Sequence, residues 1–226
     1  MPIELRIQIP GGPVPVVGGL FDNPTGTEVP ILFAHGAGLD MDQEFMTDVA
    51  EALAERGHPV LRFRYPYMER IARGDGKRPP DRFPDLEACH LAASVALAER
   101  VDRRRPVFLA KSMGCRVGAN LAALGVPCVG LAFLGYPLHA EGKTEDLRDE
   151  NFGDLELPAL FLQGTHDKLA DLKLIQKSIE KYSGAATLQV IEGANHSFQV
   201  MRAQKLTPLQ VRTDLAERVH AWALSL

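Results

Sequence analysis

Six short runs along the chain are apolar at nearly every position: Ile31–Ala34, Val60–Phe63, Val107–Ala110, Val129–Leu134, Ala159–Leu162 and Leu188–Ile191. A strand with one wet face alternates apolar and polar residues, because successive side chains point to opposite faces. Runs without that alternation suit strands covered on both faces, as in a parallel sheet. Helical patterns lie between them. After Asp40, read as an N-cap with Gln43 three residues on, Phe45, Val49 and Leu53 share one face, and Gly57-His58-Pro59 ends the helix. Asp81 and Pro84 open a second helix, with Leu86, Ala93 and Leu97 as its stripe. Thr207-Pro208 opens the last, which buries Val211, Leu215, Val219 and Trp222. Ahead of all this, Ile3, Leu5, Ile7 and Ile9 alternate with polar residues, and Pro10-Gly11-Gly12-Pro13 turns the chain back into Val14–Leu20 as a hairpin. Strand and helix alternation after an antiparallel start predicts an α/β fold, a mostly parallel sheet with helices on both faces. No repeat or linker divides the chain, so one domain over residues 1–226 is expected.

Charge and composition narrow the function. Lys plus Arg number 25 against 29 Asp plus Glu, a net charge of −4, which argues against a nucleic-acid partner. No apolar run reaches the roughly 18 residues of a membrane span, and MPIELRIQIPGG lacks the basic and apolar regions of a signal peptide. Three widely spaced cysteines point to reduced thiols. A cytoplasmic protein with a small-molecule partner and no membrane partner is the expectation.

The most informative stretch is Pro106-Val107-Phe108-Leu109-Ala110-Lys111-Ser112-Met113-Gly114-Cys115-Arg116-Val117-Gly118. An apolar strand runs into Ser112 and a helix starts at once. A serine on so sharp a turn has a strained backbone, and its Oγ projects above the sheet as a nucleophile. Small residues two before and two after it, Ala110 and Gly114, meet the steric demand, although the first position carries a methyl where G-x-S-x-G has none. The competing interpretation is a serine N-cap of an ordinary strand–helix unit. Cys115 reads as small-residue packing within the helix, not as a thiol nucleophile.

A serine nucleophile needs a base, the base an orienting carboxylate, and the oxyanion preorganised donors. The run at Ala159 ends in Gln163-Gly164-Thr165-His166-Asp167, which puts Asp167 on the loop after a core strand. The run at Leu188 ends in Glu192-Gly193-Ala194-Asn195-His196-Ser197-Phe198, which puts His196 on a loop before the last helix. Ser112, Asp167, His196 is the chain order of the α/β-hydrolase arrangement. His166 adjoins Asp167, and His58, His90 and His220 fall in or beside helices, so none competes well. After Ile31–Ala34, His35-Gly36-Ala37-Gly38 lets the backbone turn inward. The main-chain N–H groups of Ala37 and Met113 are the expected oxyanion donors, with His35 as a loop buttress. Gly135-Tyr136-Pro137-Leu138-His139 follows another strand end, making Tyr136 and His139 candidates for substrate contact. Arg62 or Arg64 is a candidate for a substrate carboxylate, against the plainer expectation of a structural ion pair. No HExxH, paired CxxC, Walker loop or GxGxxG occurs, so neither metal nor nucleotide cofactor is implied.

Together HGAG at His35, AKSMG at Ala110, GYPLH at Gly135, QGTHD at Gln163 and NHSF at Asn195 give the sequence a family resemblance. Over essentially its whole length it resembles the α/β-hydrolase superfamily, and within it the small dienelactone-hydrolase-like set that also includes chromatin-complex scaffold subunits and testis-expressed relatives. The resemblance implies an eight-stranded, mostly parallel sheet and the Ser112-His196-Asp167 triad. Dienelactone hydrolases proper use cysteine where this chain has serine, so their substrate does not carry over. The expected activity is hydrolysis of a small soluble ester or thioester through an acyl-enzyme. The alternative is a non-catalytic interaction module that kept the fold. No cap domain is expected, because Ala140 to Asp154 is too charged for an apolar lid and leaves room for at most one short helix.

Overall fold

The computed structural model describes residues 1–226. Its strands are β1 (Ile3–Gln8), β2 (Val16–Asp22), β3 (Ile31–Ala34), β4 (Val60–Phe63), β5 (Val107–Lys111), β6 (Gly130–Leu134), β7 (Ala159–His166) and β8 (Ala186–Asn195). Its helices are α1 (Glu44–Glu55), α2 (Pro66–Ala72), α3 (Phe83–Ala98), α4 (Met113–Ala123), α5 (Leu172–Ile179) and α6 (Pro208–Ala223). All eight strands form one sheet in the order β1-β2-β4-β3-β5-β6-β7-β8. β1 and β2 are antiparallel to each other, and β2 is antiparallel to β4. From β4 through β8 every pairing is parallel, as the unalternated apolar runs require.

Both faces of β3 to β7 are covered, and the side-chain period of two decides which residue serves which face; the edge strand β8 departs from that expectation, with Val190 exposed. Ile31, Phe33, Val107, Leu109, Leu134 and Leu162 pack beneath α1 and α6, against Phe45, Val49, Leu53, Val211, Leu215 and Val219. Leu32, Ala34, Phe108, Ala110, Phe133 and Phe161 pack on the opposite face, against Leu86, Ala93 and Leu97 of α3 and Val117 and Leu121 of α4. The hairpin is less covered: Ile7 and Ile9 are buried, whereas Ile3 is 48% exposed at the sheet edge.

Several element ends differ from the sequence reading, and at the starts of α1 and α3 the expected cap has another partner. α1 begins at Glu44, with Gln43 rather than Asp40 at its N-cap. The Asp40 carboxylate instead accepts hydrogen bonds from Met41 N–H at 2.7 Å and Arg64 Nε at 2.8 Å. α3 begins at Phe83 after Arg82, because Asp81 is paired with Arg70. α2 was not expected; Pro66 opens it, and proline is well suited to a first helical position. β7 and β8 run several residues past their apolar cores, carrying the backbone up to Asp167 and His196. α6 begins as expected, with Thr207 and Gln210 forming a reciprocal capping box. Between β6 and β7 the only helical element is a short 3-10 turn at Phe152–Asp154, so no cap domain covers the strand ends.

Candidate active site

Ser112 joins β5 to α4 with φ +52° and ψ −116°, a conformation that costs a non-glycine residue about 1–3 kcal/mol. Its surroundings hold it there. The Ser112 N–H donates to Leu134 O at 3.2 Å, and Cys115 N–H donates back to Ser112 O at 2.9 Å. A Cβ on Gly114 would lie 2.9 Å from His35 O and 3.0 Å from the Ala34 methyl, so the end of β3 dictates the glycine. The sequence pattern attributes the demand for small residues to contact between positions 110 and 114; at Gly114 the crowding comes instead from the neighbouring strand. A Cβ on Gly36 would approach Ser112 Cβ to 3.1 Å, so the loop after β3 lies directly against the serine.

The Ser112 hydroxyl does not cap α4. Its Oγ stands 2.8 Å from His196 Nε2, and His196 Nδ1 stands 2.7 Å from Asp167 Oδ2. The carboxylate side chain is fully buried, and each oxygen is held: Oδ1 accepts from Leu169 N–H at 2.8 Å and Oδ2 also accepts from Gln163 Nε2 at 2.5 Å. The His196 loop has its own brace. Asn195 Oδ1 accepts from Ser197 N–H at 2.9 Å and Gln199 N–H at 3.0 Å, and Phe198 takes a left-handed φ of +57° with its ring stacked on Phe45. A donor on Nδ1 facing a carboxylate leaves Nε2 as the acceptor for the serine proton, the relation a general base requires.

Of the expected oxyanion donors, Ala37 lies in the loop after β3 and Met113 opens α4. His35 Nε2 accepts from Tyr65 N–H at 3.0 Å, so its Nδ1 carries the proton and donates to Gly36 O at 2.8 Å. Burial pushes the His35 pKa down to about 4, which keeps the ring neutral in this role. The Tyr67 hydroxyl donates to the same region, 3.2 Å from Gly36 O and 3.1 Å from Ala37 O. Gly36 O belongs to the peptide whose N–H is that of Ala37. In a trans peptide the two point opposite ways, so anchoring the oxygen aims the Ala37 N–H away from His35. Met113 opens α4, so its N–H has no intrahelical acceptor. Two free donors on either side of Ser112 suit an oxygen that gains negative charge.

Beside Ser112 lies a cavity of about 650 Å³, lined by Ala37, Phe45, Lys111, Leu169, His196 and Arg212 among others. The candidate contacts Tyr136, His139 and Arg64 do not line it, which corrects the sequence reading. Tyr136 is buried among Phe133, Phe152 and Phe161, and its hydroxyl donates to Arg148 O at 2.7 Å. His139 uses both ring nitrogens structurally, Nε2 accepting from Asp171 N–H at 3.1 Å and Nδ1 donating to Ala140 O at 2.9 Å. Arg64 pairs with Asp40 at 2.8 Å and Asp42 at 2.7 Å, and Arg62 is buried against Asp22 at 2.9 Å. The plainer alternative therefore held for both arginines. Cys115 is buried with its thiol donating to Ala110 O, and burial raises its pKa to about 12, so it is no thiolate. The three cysteines are unpaired. No three His, Cys, Asp or Glu side chains converge as a metal site. No helix is long and apolar enough to cross a membrane.

Three residues of the site escaped sequence reasoning: Gln163 behind Asp167, Asn195 in the His196 loop, and Lys111 in the cavity. Gln163 and Lys111 had left a signal, a polar residue closing an otherwise apolar strand run.

Comparison with known proteins bears on the family and the fold. The family model described as alpha/beta hydrolase domain matches residues 27–224. Among solved structures, the dienelactone hydrolase of Anabaena variabilis is 19% identical and superposes with a TM-score of 0.76, covering 99% of this chain and 98% of that one. An α/β serine hydrolase without a lid from Xanthomonas campestris is 20% identical, with a TM-score of 0.70 over 98% of this chain and 94% of that one. An alpha-beta serine hydrolase homologue from Coxiella burnetii is 21% identical, with a TM-score of 0.71 over 96% and 97%. The chain belongs to the α/β-hydrolase family, and its fold is that of the small members without a cap. Hydrolytic chemistry is what this fold and family support.

Proposed function

We propose that the protein is a serine hydrolase that cleaves a small soluble ester or thioester. The observation that carries this reading is the connectivity of Ser112. Its hydroxyl leaves the helix end uncapped and lies 2.8 Å from His196, which is itself 2.7 Å from Asp167. In the proposed reaction Ser112 Oγ attacks the acyl carbon while its proton passes to His196 Nε2. The carbonyl π electrons move onto oxygen, where the Ala37 and Met113 N–H groups meet the charge, each donor contributing typically about 3–4 kcal/mol. Collapse of the adduct expels the alcohol or thiol, which takes the proton from His196. Water then enters by the same route and releases the acid, regenerating the serine. Asp167 holds the imidazole in the tautomer this needs.

The reading favours catalysis over an interaction module because a scaffold gains nothing from a strained serine, a buried carboxylate braced by Gln163 and Leu169, and two free N–H groups around one point. A fluorophosphonate probe tests it. Covalent labelling of the wild type at Ser112, abolished in Ser112→Ala with the fold intact, is expected. A wild type that does not react, or a Ser112→Ala variant that still labels, overturns the hydrolase reading in favour of the interaction module.

A further inference from the structure

Lys111 occupies an unusual position for an ammonium. It ends β5 in phase with Val107 and Leu109, which both face the layer beneath α1 and α6. At the carboxyl edge of the sheet that face opens into the cavity, and Lys111 lines it next to Ser112. The residue is only 3% exposed. Its amine sits over the Phe198 ring, 5.5 Å from the centroid, and makes no direct ion pair or hydrogen bond; the one carboxylate whose attraction reaches it, Asp167, is held by other partners. Gly135 shows how close it stands to the triad: a Cβ there would lie 3.2 Å from Lys111 Nζ and 3.5 Å from both Asp167 Oδ2 and His196 Nδ1.

A buried cation with no counter-ion is expensive unless something pairs with it. The other charged groups lining the cavity are already matched, since Arg212 lies 2.7 Å from Asp48 and 3.2 Å from Glu44. Asp167 is committed to His196, Gln163 and Leu169. Burial lowers the Lys111 pKa to about 8, so at neutral pH most molecules still carry the charge. The site thus offers one positive charge, beside the nucleophile, to whatever fills the cavity.

We propose that Lys111 is a specificity residue that binds a carboxylate of the substrate, so that the preferred esters or thioesters carry one carboxylate besides the acyl group that is cleaved. This rests on the serine-hydrolase reading above and narrows its substrate class. One free cation matches one carboxylate; a phosphate dianion would bring a second charge that no group here neutralises. The cation–π contact with Phe198 holds the ammonium in place without consuming its hydrogen-bond donors. The carboxylate would supply the acceptors that the protein withholds.

The experiment pairs charged with neutral ligands of equal length. First, wild-type enzyme is labelled with the fluorophosphonate in the presence of adipate or adipamide; adipate should slow labelling and adipamide should not. Second, kcat/KM is measured for the p-nitrophenyl monoester of adipic acid and for p-nitrophenyl hexanoate, with spontaneous hydrolysis subtracted. The preference for the charged ester should fall by roughly 10- to 100-fold in Lys111→Met and be partly kept in Lys111→Arg. Absence of labelling on the wild type overturns the hydrolase reading, and the substrate class with it. Labelling with equal effects of adipate and adipamide, or an unchanged ester preference in Lys111→Met, overturns the carboxylate site alone. Should Lys111→Met fail to fold, the wild-type protection pair decides by itself.

Discussion

Exchanging Lys111 for methionine keeps most of the apolar stem and removes the ammonium, which makes the energetic cost of that charge measurable. Burial brings its pKa from 10.5 down to about 8. At about 1.4 kcal/mol per pH unit this corresponds to about 3 kcal/mol of destabilisation carried by the charged form in the native state. The residue is 3% exposed, so solvent screening gives little relief. The sign follows from proton counting. Below about pH 8 the amine is protonated in both the native and the unfolded chain, and the whole cost is present. Between about 8 and 10.5 the native state binds fewer protons than the unfolded state, so wild-type stability rises with pH and the cost fades. Lys111→Met should therefore be more stable than wild type by about 3 kcal/mol at pH 7, a Tm gain on the order of 6–12 °C for a domain of this size. The gap should close as pH approaches 10.5. Urea unfolding of both proteins at pH 7, 8, 9 and 10 reads it directly, and the difference between them cancels every other titrating group. A variant less stable than wild type at pH 7, or a gap that does not change with pH, would refute the argument that this charge is buried without a partner. The expected combination, higher stability with lost substrate preference, is the trade-off typical of groups kept for function.

Other consequences can be tested in the same preparations. Gly135→Ala places a Cβ 3.2 Å from Lys111 Nζ at a φ of +68°, so it should lose about 1–2 kcal/mol of stability and most of its turnover together; unchanged ester hydrolysis would show that this backbone does not position the triad. His35 and His90 are buried neutral, with desolvation pushing their pKa values down to about 4 and about 3. Each must gain a proton on unfolding below about pH 6.5, so stability should fall by up to about 1.4 kcal/mol per pH unit per histidine on the way to pH 4.5. A flat urea midpoint across that range would contradict it, and His90→Phe should flatten the profile in part. With no lid over the strand ends, p-nitrophenyl esters should show a short-chain preference and no jump in rate above micelle formation; an optimum at long acyl chains would mean that a cap forms, the Arg73 to Pro80 loop being the available segment.

Much of this protein is set by patterns that span a few residues. Unalternated apolar runs specify strands, and every one of those runs lies in a strand of the sheet, although the one in the edge strand β8 is covered only in part. The strained turn at Ser112 is legible in the small residues around it, although the crowding that demands Gly114 comes from the end of β3. Asp167 and His196 could be named because each follows a strand, and the crossover rules of a parallel sheet bring successive strand ends to one edge. What the sequence could not settle is which polar side chain meets which partner. Ser112 and His196 are 84 residues apart, and Asp167 and His196 are 29 apart. Arg62 finds Asp22 across 40 residues, and His139 finds the backbone of Asp171 across 32. Such pairings depend on sheet order and on rotamers fixed by packing, to which a local pattern is blind. Polar residues at or just beyond strand ends thus became braced structural groups at Arg64, Tyr136 and His139, and a charge without a direct partner at Lys111. That difference lies in the direction each side chain leaves the sheet and in what the opposing helix or loop offers it, and only the assembled tertiary structure determines both.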